Sequence, residues 1–174
     1  TIYKSLSFGI GRVNTTDVVD DALFDDAAWN DIDVLSSAGL RDKARRQLGT
    51  VGSGNHYVDV FRDEADRIWI GVHFGSRGLG HTIASHYIRV AGGEPDGNMD
   101  SPPALLDANS EHGQHYLAAM ALAGHYAYAG RNWVCAKVAS ILGAQILDEV
   151  HNHHNFAWKE LLADGTEAIV HRKG

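Results

Sequence analysis

The spacing of apolar and polar positions changes period several times along the chain, and each change marks a candidate element. Residues 17–34, DVVDDALFDDAAWNDIDV, mix acids with apolar residues at helical spacing, which predicts one or two amphipathic helices on a solvated surface. Residues 40–48, LRDKARRQL, predict a short basic helix running into the glycine-rich GTVGSGNH. YVDVFR then alternates apolar and polar residues, DEAD interrupts it, and IWIGVHF is a continuous apolar run with β-branched and aromatic members. The two runs predict adjacent strands of a sheet.

After GSRGLG, the stretch HTIASHYIRVAG carries an apolar face of Ile83, Tyr87 and Val90 and predicts a helix. GGEPDGNMDSPP predicts a loop. From about Gln114 to His151 alanine and leucine recur with helical period, which predicts two long helices or one kinked helix, with Gly130 and Gly143 as the weak points. HNHHNFAWKELL follows, then a turn at Asp164-Gly165 and a strand, EAIVHRK. There is no internal repeat and no low-complexity segment. The pattern as a whole predicts an α+β fold, a mixed sheet with long packed helices in a single domain over residues 1–174, with histidines at the ends of elements.

Composition narrows the function classes. The chain has 174 residues, 44% of them hydrophobic and 21% charged, enough for one domain with a sizeable core. A net charge of −7 without a run of Lys or Arg argues against an extended phosphate-binding stripe, so any RNA contact has to come from a local patch. The single Cys135 excludes an internal disulfide and fits a reducing compartment. No apolar run reaches membrane-spanning length and the opening TIYKSLSFGIGR lacks a signal-peptide core, so a cytoplasmic, soluble protein with no membrane partner is expected. A start at Thr1 and a stop directly after a strand-like stretch lead to the expectation of a piece of something longer. Eleven histidines, several beside a cluster of glycines, are the feature composition leaves unexplained.

Three constellations could carry chemistry. In Gly52-Ser53-Gly54-Asn55-His56, glycines let backbone N–H groups approach an anion, Asn55 offers an amide and His56 a metal-capable imidazole. The plainer reading is a glycine turn with a hydrogen-bonded surface histidine. Asp59 lies three residues on, and in a regular strand would point away from His56. In His73-Phe74-Gly75-Ser76-Arg77-Gly78-Leu79-Gly80, His73 ends a strand and Arg77 stands in a loop before a helix, suited to grip an oxyanion or, on the plainer reading, to pair with a carboxylate. In His151-Asn152-His153-His154-Asn155, three imidazoles in four residues offer several routes to one borderline divalent ion, although a helix C-terminus would equally favour His151 or His153 as caps. The other histidines, at 81, 86, 112, 115, 125 and 171, read as ordinary surface or packing residues.

These segments together resemble a known family. RQLGTVGSGNHYVDV, HFGSRGLGH, YLAAMALAGHYAYAGR, HHNFAWKE and VHRKG occur in the order found in RtcB-type RNA ligases, from about residue 40 to the C-terminus. Each piece alone is weak, and five in order are specific. The resemblance implies that His56, His73 and His154, the last being the histidine of an H-N pair before a helix, bind manganese. It implies that Asn55, Asp59 and Asn155 belong to a GTP pocket, and that Arg77 and Lys173 contact phosphate or RNA. Family members join RNA ends bearing a 2′,3′-cyclic phosphate or 3′-phosphate to 5′-hydroxyl ends, as in tRNA halves or broken RNA, through a histidine–GMP intermediate.

The departures are as informative. The family's Asp and Cys metal ligands precede its G-x-G-N-H turn by more than this chain contains, and Cys135 in its helical setting is no substitute. The nucleophilic histidine of the family sits in H-G-x-G-R, whereas His112-Gly113 is followed here by Gln114-His115. Asp59 stands for the usual Glu, and Ser53, Phe74, His125 and Gly130 each replace a more usual residue, which weakens the expectation of guanine specificity. The chain therefore reads as a central part of an RNA ligase, inactive in ligation by itself. The alternatives are a metal-dependent phosphoesterase with Asp59 as base, or a non-catalytic metal- or nucleotide-binding fragment. The oligomeric state is left open.

Overall fold

The computed structural model describes residues 2–15, 18–94 and 103–173. In chain order the elements are α1 (Ile2–Ser5), a 3-10 turn (Ala22–Asp25), α2 (Ala28–Asp31), α3 (Leu40–Gln47), β1 (Tyr57–Arg62), β2 (Ile68–His73), α4 (Arg77–Val90), α5 (Glu111–Leu142), β3 (Asn155–Leu161) and β4 (Glu167–Lys173). The fold is α+β, as the sequence predicts. The strands, however, form two separate antiparallel pairs, β1 with β2 and β3 with β4, rather than one mixed sheet.

The alanine-rich stretch is a single helix through Gly130. A Cβ at that position would lie 3.2 Å from the Phe74 ring and 3.4 Å from the Gly49 nitrogen, so the missing side chain is what lets β2 and the turn after α3 approach α5. Phe74 and Gly130, two departures from the family pattern, are thus one contact. The helix ends at Gly143, whose φ of 67° is left-handed and whose neighbour Ala144 donates to the Ala139 carbonyl at 2.9 Å. That termination corrects the expected extent to His151. Residues 144–154 run on without regular structure, so neither His151 nor His153 caps a helix. The stretch after His154 is likewise a strand, β3, and not a helix.

Residues 18–34 also depart from expectation. Instead of amphipathic helices on the surface they make two single turns, because Asp21 accepts from the Leu23 N–H and Asp26 from the Ala28 N–H, each starting a turn that its neighbours do not extend. Their apolar members are core. Phe24, Trp29, Ile32, Val34 and Leu35 are buried with Leu79, Ile83 and Tyr87 of α4 and Leu122 and Tyr126 of α5. Trp29 Nε1 donates to the Leu23 carbonyl at 2.8 Å, and the Tyr126 hydroxyl to the Ala44 carbonyl at 2.9 Å. Val90, expected on the buried face of α4, lies at its exposed end, and Leu79 takes the inward position. A smaller core joins Leu6, Val51, Phe74, Val134 and Val138. The predicted loop around residues 92–103 falls largely outside the described residues.

Four elements match their predicted limits within a residue: α3, β1, β2 and β4. The β1–β2 connection turns where DEAD interrupts the strands, because the Asp63 carboxylate accepts from the N–H groups of Ala65 and Arg67, from Arg67 Nε and from Trp69 Nε1. Those donors, that of Trp69 foremost, hold its pKa down to about 2. The register pairs Tyr57 with His73 and Arg62 with Ile68, and in the second hairpin Asn155 with Lys173 and Leu161 with Glu167.

Candidate functional site

Each hairpin brings one end to the same place. His73 is the last residue of β2, and its ring stacks on that of Tyr57 across the pair at 5.6 Å with 16° between planes. The His56 ring, from the turn just before β1, lies 6.0 Å from that of His73, and the His154 ring, from the residue just before β3, lies 5.0 Å from it on another side. Three imidazoles from three segments are therefore neighbours. Among the described residues no three His, Cys, Asp or Glu side chains converge closely enough to enclose one ion as they stand.

The glycines beside His56 have a local reason. A Cβ on Gly52 would collide with His56 Nδ1 and with a terminal nitrogen of Arg77, so only glycine leaves room for both side chains. His56 Nδ1 is buried, with no hydrogen-bond partner among the described residues. Burial, then the charges of Arg77 and His73, lower the His56 pKa, favouring the neutral imidazole that a metal requires.

The His-rich run separates its members. His154 faces His73. The His153 ring stacks on Phe156 at 4.3 Å and touches Tyr128 at 4.4 Å, and burial followed by Arg131 and His151 lowers its pKa. His151 receives a hydrogen bond from Arg131 Nε at 2.7 Å and lies 3.2 Å, Nδ1 to Oε1, from Glu149.

A cavity of about 730 Å³ opens between these histidines, α4, α5 and the second hairpin. Asn55, Ser76, Asn155 and His171 join the three imidazoles on its polar side, while Ile83, Tyr116, Met120 and Ala123 form an apolar side. The side chains of Asn155 and His171 hydrogen-bond to each other across the β3–β4 pair. Asp59, Arg77 and Lys173 are not among the residues of its walls. Asp59 is exposed on β1 opposite Gly71. Lys173 is exposed at the end of β4 opposite Asn155. Arg77 is not in a loop but opens α4 with a φ of 54°, and among the described residues neither of its hydrogen bonds goes to a carboxylate. Its Nε donates to Thr50 Oγ1 and its Nη2 to the Gly9 carbonyl, both at 3.1 Å, so it ties the glycine turn to the N-terminal segment.

Two participants escaped the sequence reading. His171, in sequence an ordinary strand histidine, lines the cavity, and its strand parity carries no hint of that. Arg131 had a signal: it is the only Asp, Glu, Lys or Arg between Glu111 and Lys137, alone in an apolar helix.

Comparison with known proteins identifies the family. The family described as tRNA-splicing ligase RtcB matches residues 14–174. The RNA-splicing ligase RtcB1 of Escherichia coli is 33% identical over 144 residues, covering 74% of this chain and 35% of that protein. The tRNA-splicing ligase RtcB of Methanococcus maripaludis is 30% identical over 229 residues, 99% of this chain and 48% of that protein. That of Pyrococcus abyssi is 29% identical over 235 residues, 100% of this chain and 25% of that protein. The chain thus spans between a quarter and a half of the length of these relatives. The matched stretch of the last is longer than the chain, so that relative carries internal residues without a counterpart here. With the family matched over nearly the whole chain and the glycine turn, strand end and His-rich run in order, this protein belongs to the RtcB tRNA-splicing ligase family.

Proposed function

We propose that this chain supplies part of the active site of a manganese- and GTP-dependent RNA ligase that joins a 2′,3′-cyclic phosphate or 3′-phosphate RNA end to a 5′-hydroxyl end. The observation that carries the reading is the meeting of His56, His73 and His154 from three separate segments at one cavity. These residues suit the metal: an all-imidazole donor set matches a borderline divalent ion, and the buried Nδ1 of His56 is a polar atom with no hydrogen-bond partner among the described residues. When bound, manganese would polarise phosphoryl oxygens and offset developing charge.

The chain's own residues would do the rest. Asn55 offers its amide from the cavity wall, and Asn155, held by His171, lines the same cavity. Tyr57 stacks on His73 and supports that ring from one side. Asp59 is exposed on the same strand face as Tyr57, in reach of a nucleotide standing outside the cavity rather than within it. Arg77 acts here by holding the glycine turn, and Lys173 offers its ammonium to phosphate from the exposed end of β4. RNA is the partner, approached through such local cations because the overall charge is negative.

The test is titration of the chain with manganese, followed by the paramagnetic resonance of free ion. Binding tighter than millimolar that falls at least tenfold in His73→Ala is expected, and wild-type binding weaker than millimolar would sink the reading. Incubation with manganese and radiolabelled GTP is expected to leave no covalent GMP on these 174 residues, which contain no H-G-x-G-R.

A further inference from the structure

Arg131 lies on α5, and its neighbours connect the two segments that carry His73 and His154. Nη1 donates to the carbonyl of Phe74, the residue after His73, at 2.9 Å. Nε donates to His151 Nε2 at 2.7 Å and Nη2 to the carbonyl of Asn152, two residues before His154, at 3.4 Å. The guanidinium also lies 5.0 Å from the centre of the Tyr128 ring. One rigid fork thus holds acceptors from parts of the chain 57 and about 20 residues distant.

The protonation pattern follows from the donors. A guanidinium nitrogen can only donate, so His151 Nε2 accepts and the ring proton sits on Nδ1, directed at Glu149 Oε1 3.2 Å away. Glu149 is reached through the imidazole, and none of the three acceptors of Arg131 is a carboxylate. A cation so placed is spent on geometry. Arginine suits this and lysine does not, because a planar fork reaches acceptors in several directions while an ammonium is one point.

We propose that Arg131 is a positioning residue that sets the separation of His73 and His154, by bridging the Phe74 carbonyl to the His151–Asn152 segment. Its consequence for metal binding rests on the reading of those histidines as manganese ligands. The bridge itself does not, since its acceptors, the Phe74 and Asn152 carbonyls and His151 Nε2, include none of the three site imidazoles.

The experiment uses the whole chain and the variant Arg131→Lys, with two readouts. In metal-free protein, ring protons of His73 and His154 are close enough for a nuclear Overhauser contact, the ring centres being 5.0 Å apart. That contact is expected in the wild type and lost in Arg131→Lys, with the thermal unfolding midpoint little changed. With manganese alone, the variant is expected to bind about 10- to 100-fold more weakly, the usual loss when a group that orients a ligand is removed. A variant that keeps both the ring contact and wild-type manganese affinity overturns the proposal. If the wild type binds no manganese, the ligand reading fails, and the ring contact alone then decides the bridge. Should Arg131→Lys not fold, His151→Ala removes one acceptor of the fork: weakening of the contact supports the proposal, and an unchanged contact overturns it.

Discussion

Phe24, Trp29, Leu35, Leu48 and Tyr126 are each no more than 2% exposed, whereas in the β1–β2 hairpin Val60, Phe61 and Ile68 are 42%, 53% and 60% exposed. The helical half of the molecule is held by buried apolar surface. The hairpins, which carry or border the three site histidines, are held by their own ladders, by half-buried packing of Val58, Ile70 and Val72 on the smaller core, and by polar ties of Arg131 to Phe74 and Asn152 beside them. Two-stranded hairpins are marginal by themselves, so their placement depends on these ties and on contact with α5. Rigidity is made in one half and used in the other. The candidate ligands sit where local opening costs least, on a scaffold that does not open with them.

The largest blow to this division is to the helical core. Trp29→Ala removes a side chain 2% exposed that stacks near Phe24, and is expected to cost about 3–5 kcal/mol in urea unfolding. A loss below about 1 kcal/mol would mean that the core does not carry the fold. A subtler change should separate the halves. At Gly124 a Cβ would sit 2.9 Å from Phe156 and 3.1 Å from His153, pushing the second hairpin off α5, while alanine in mid-helix gains about 1 kcal/mol of propensity. Gly124→Ala is therefore expected to leave the global unfolding midpoint nearly unchanged yet speed amide exchange in β3 and β4. Equal exchange in both proteins would show the two halves to be less separable than this.

The smallest effect is confined to one turn. The Asp63 pKa is lowered from 3.8 to about 2 in the folded hairpin, so its contribution to stability is present above about pH 4 and is lost as the pH falls through about 2. Carbon-13 NMR of the carboxyl should follow that midpoint, and Asp63→Asn should remove the acid-induced loosening of β1–β2 without altering the helices. A carboxyl titrating at its ordinary value would break the account of the turn.

Legibility follows the range of the forces involved. The β1, β2 and β4 strands and α3 were readable because alternation, an apolar run and a short amphipathic repeat each reflect burial decided within a few residues. Residues 18–34 were misjudged because acids read as solvated, while the apolar residues between them fill the core against α4 and α5. The end of α5 was misjudged because Ile146, Leu147 and Val150 suit a helix, yet Gly143 takes a left-handed conformation and the chain leaves for the second hairpin. At the site, His56 and His73 were visible as histidines at the ends of elements. The order within the His-rich run, and the part played by His171 and Arg131, were not.

What the sequence determined by itself is therefore local and chemical: an α+β chain, a glycine turn ending in His56, a strand ending in His73, a cluster containing His154, and motifs specific enough to declare the family. Tertiary structure decided which of these meet. It turned His153 into an aromatic stack, His151 into an acceptor for Arg131 and His154 toward His73, and it spent Arg77 on the glycine turn. The physical reason is that a side chain's type sets what it can bind, but its partner is fixed by contacts between segments dozens of residues apart, which no local pattern records.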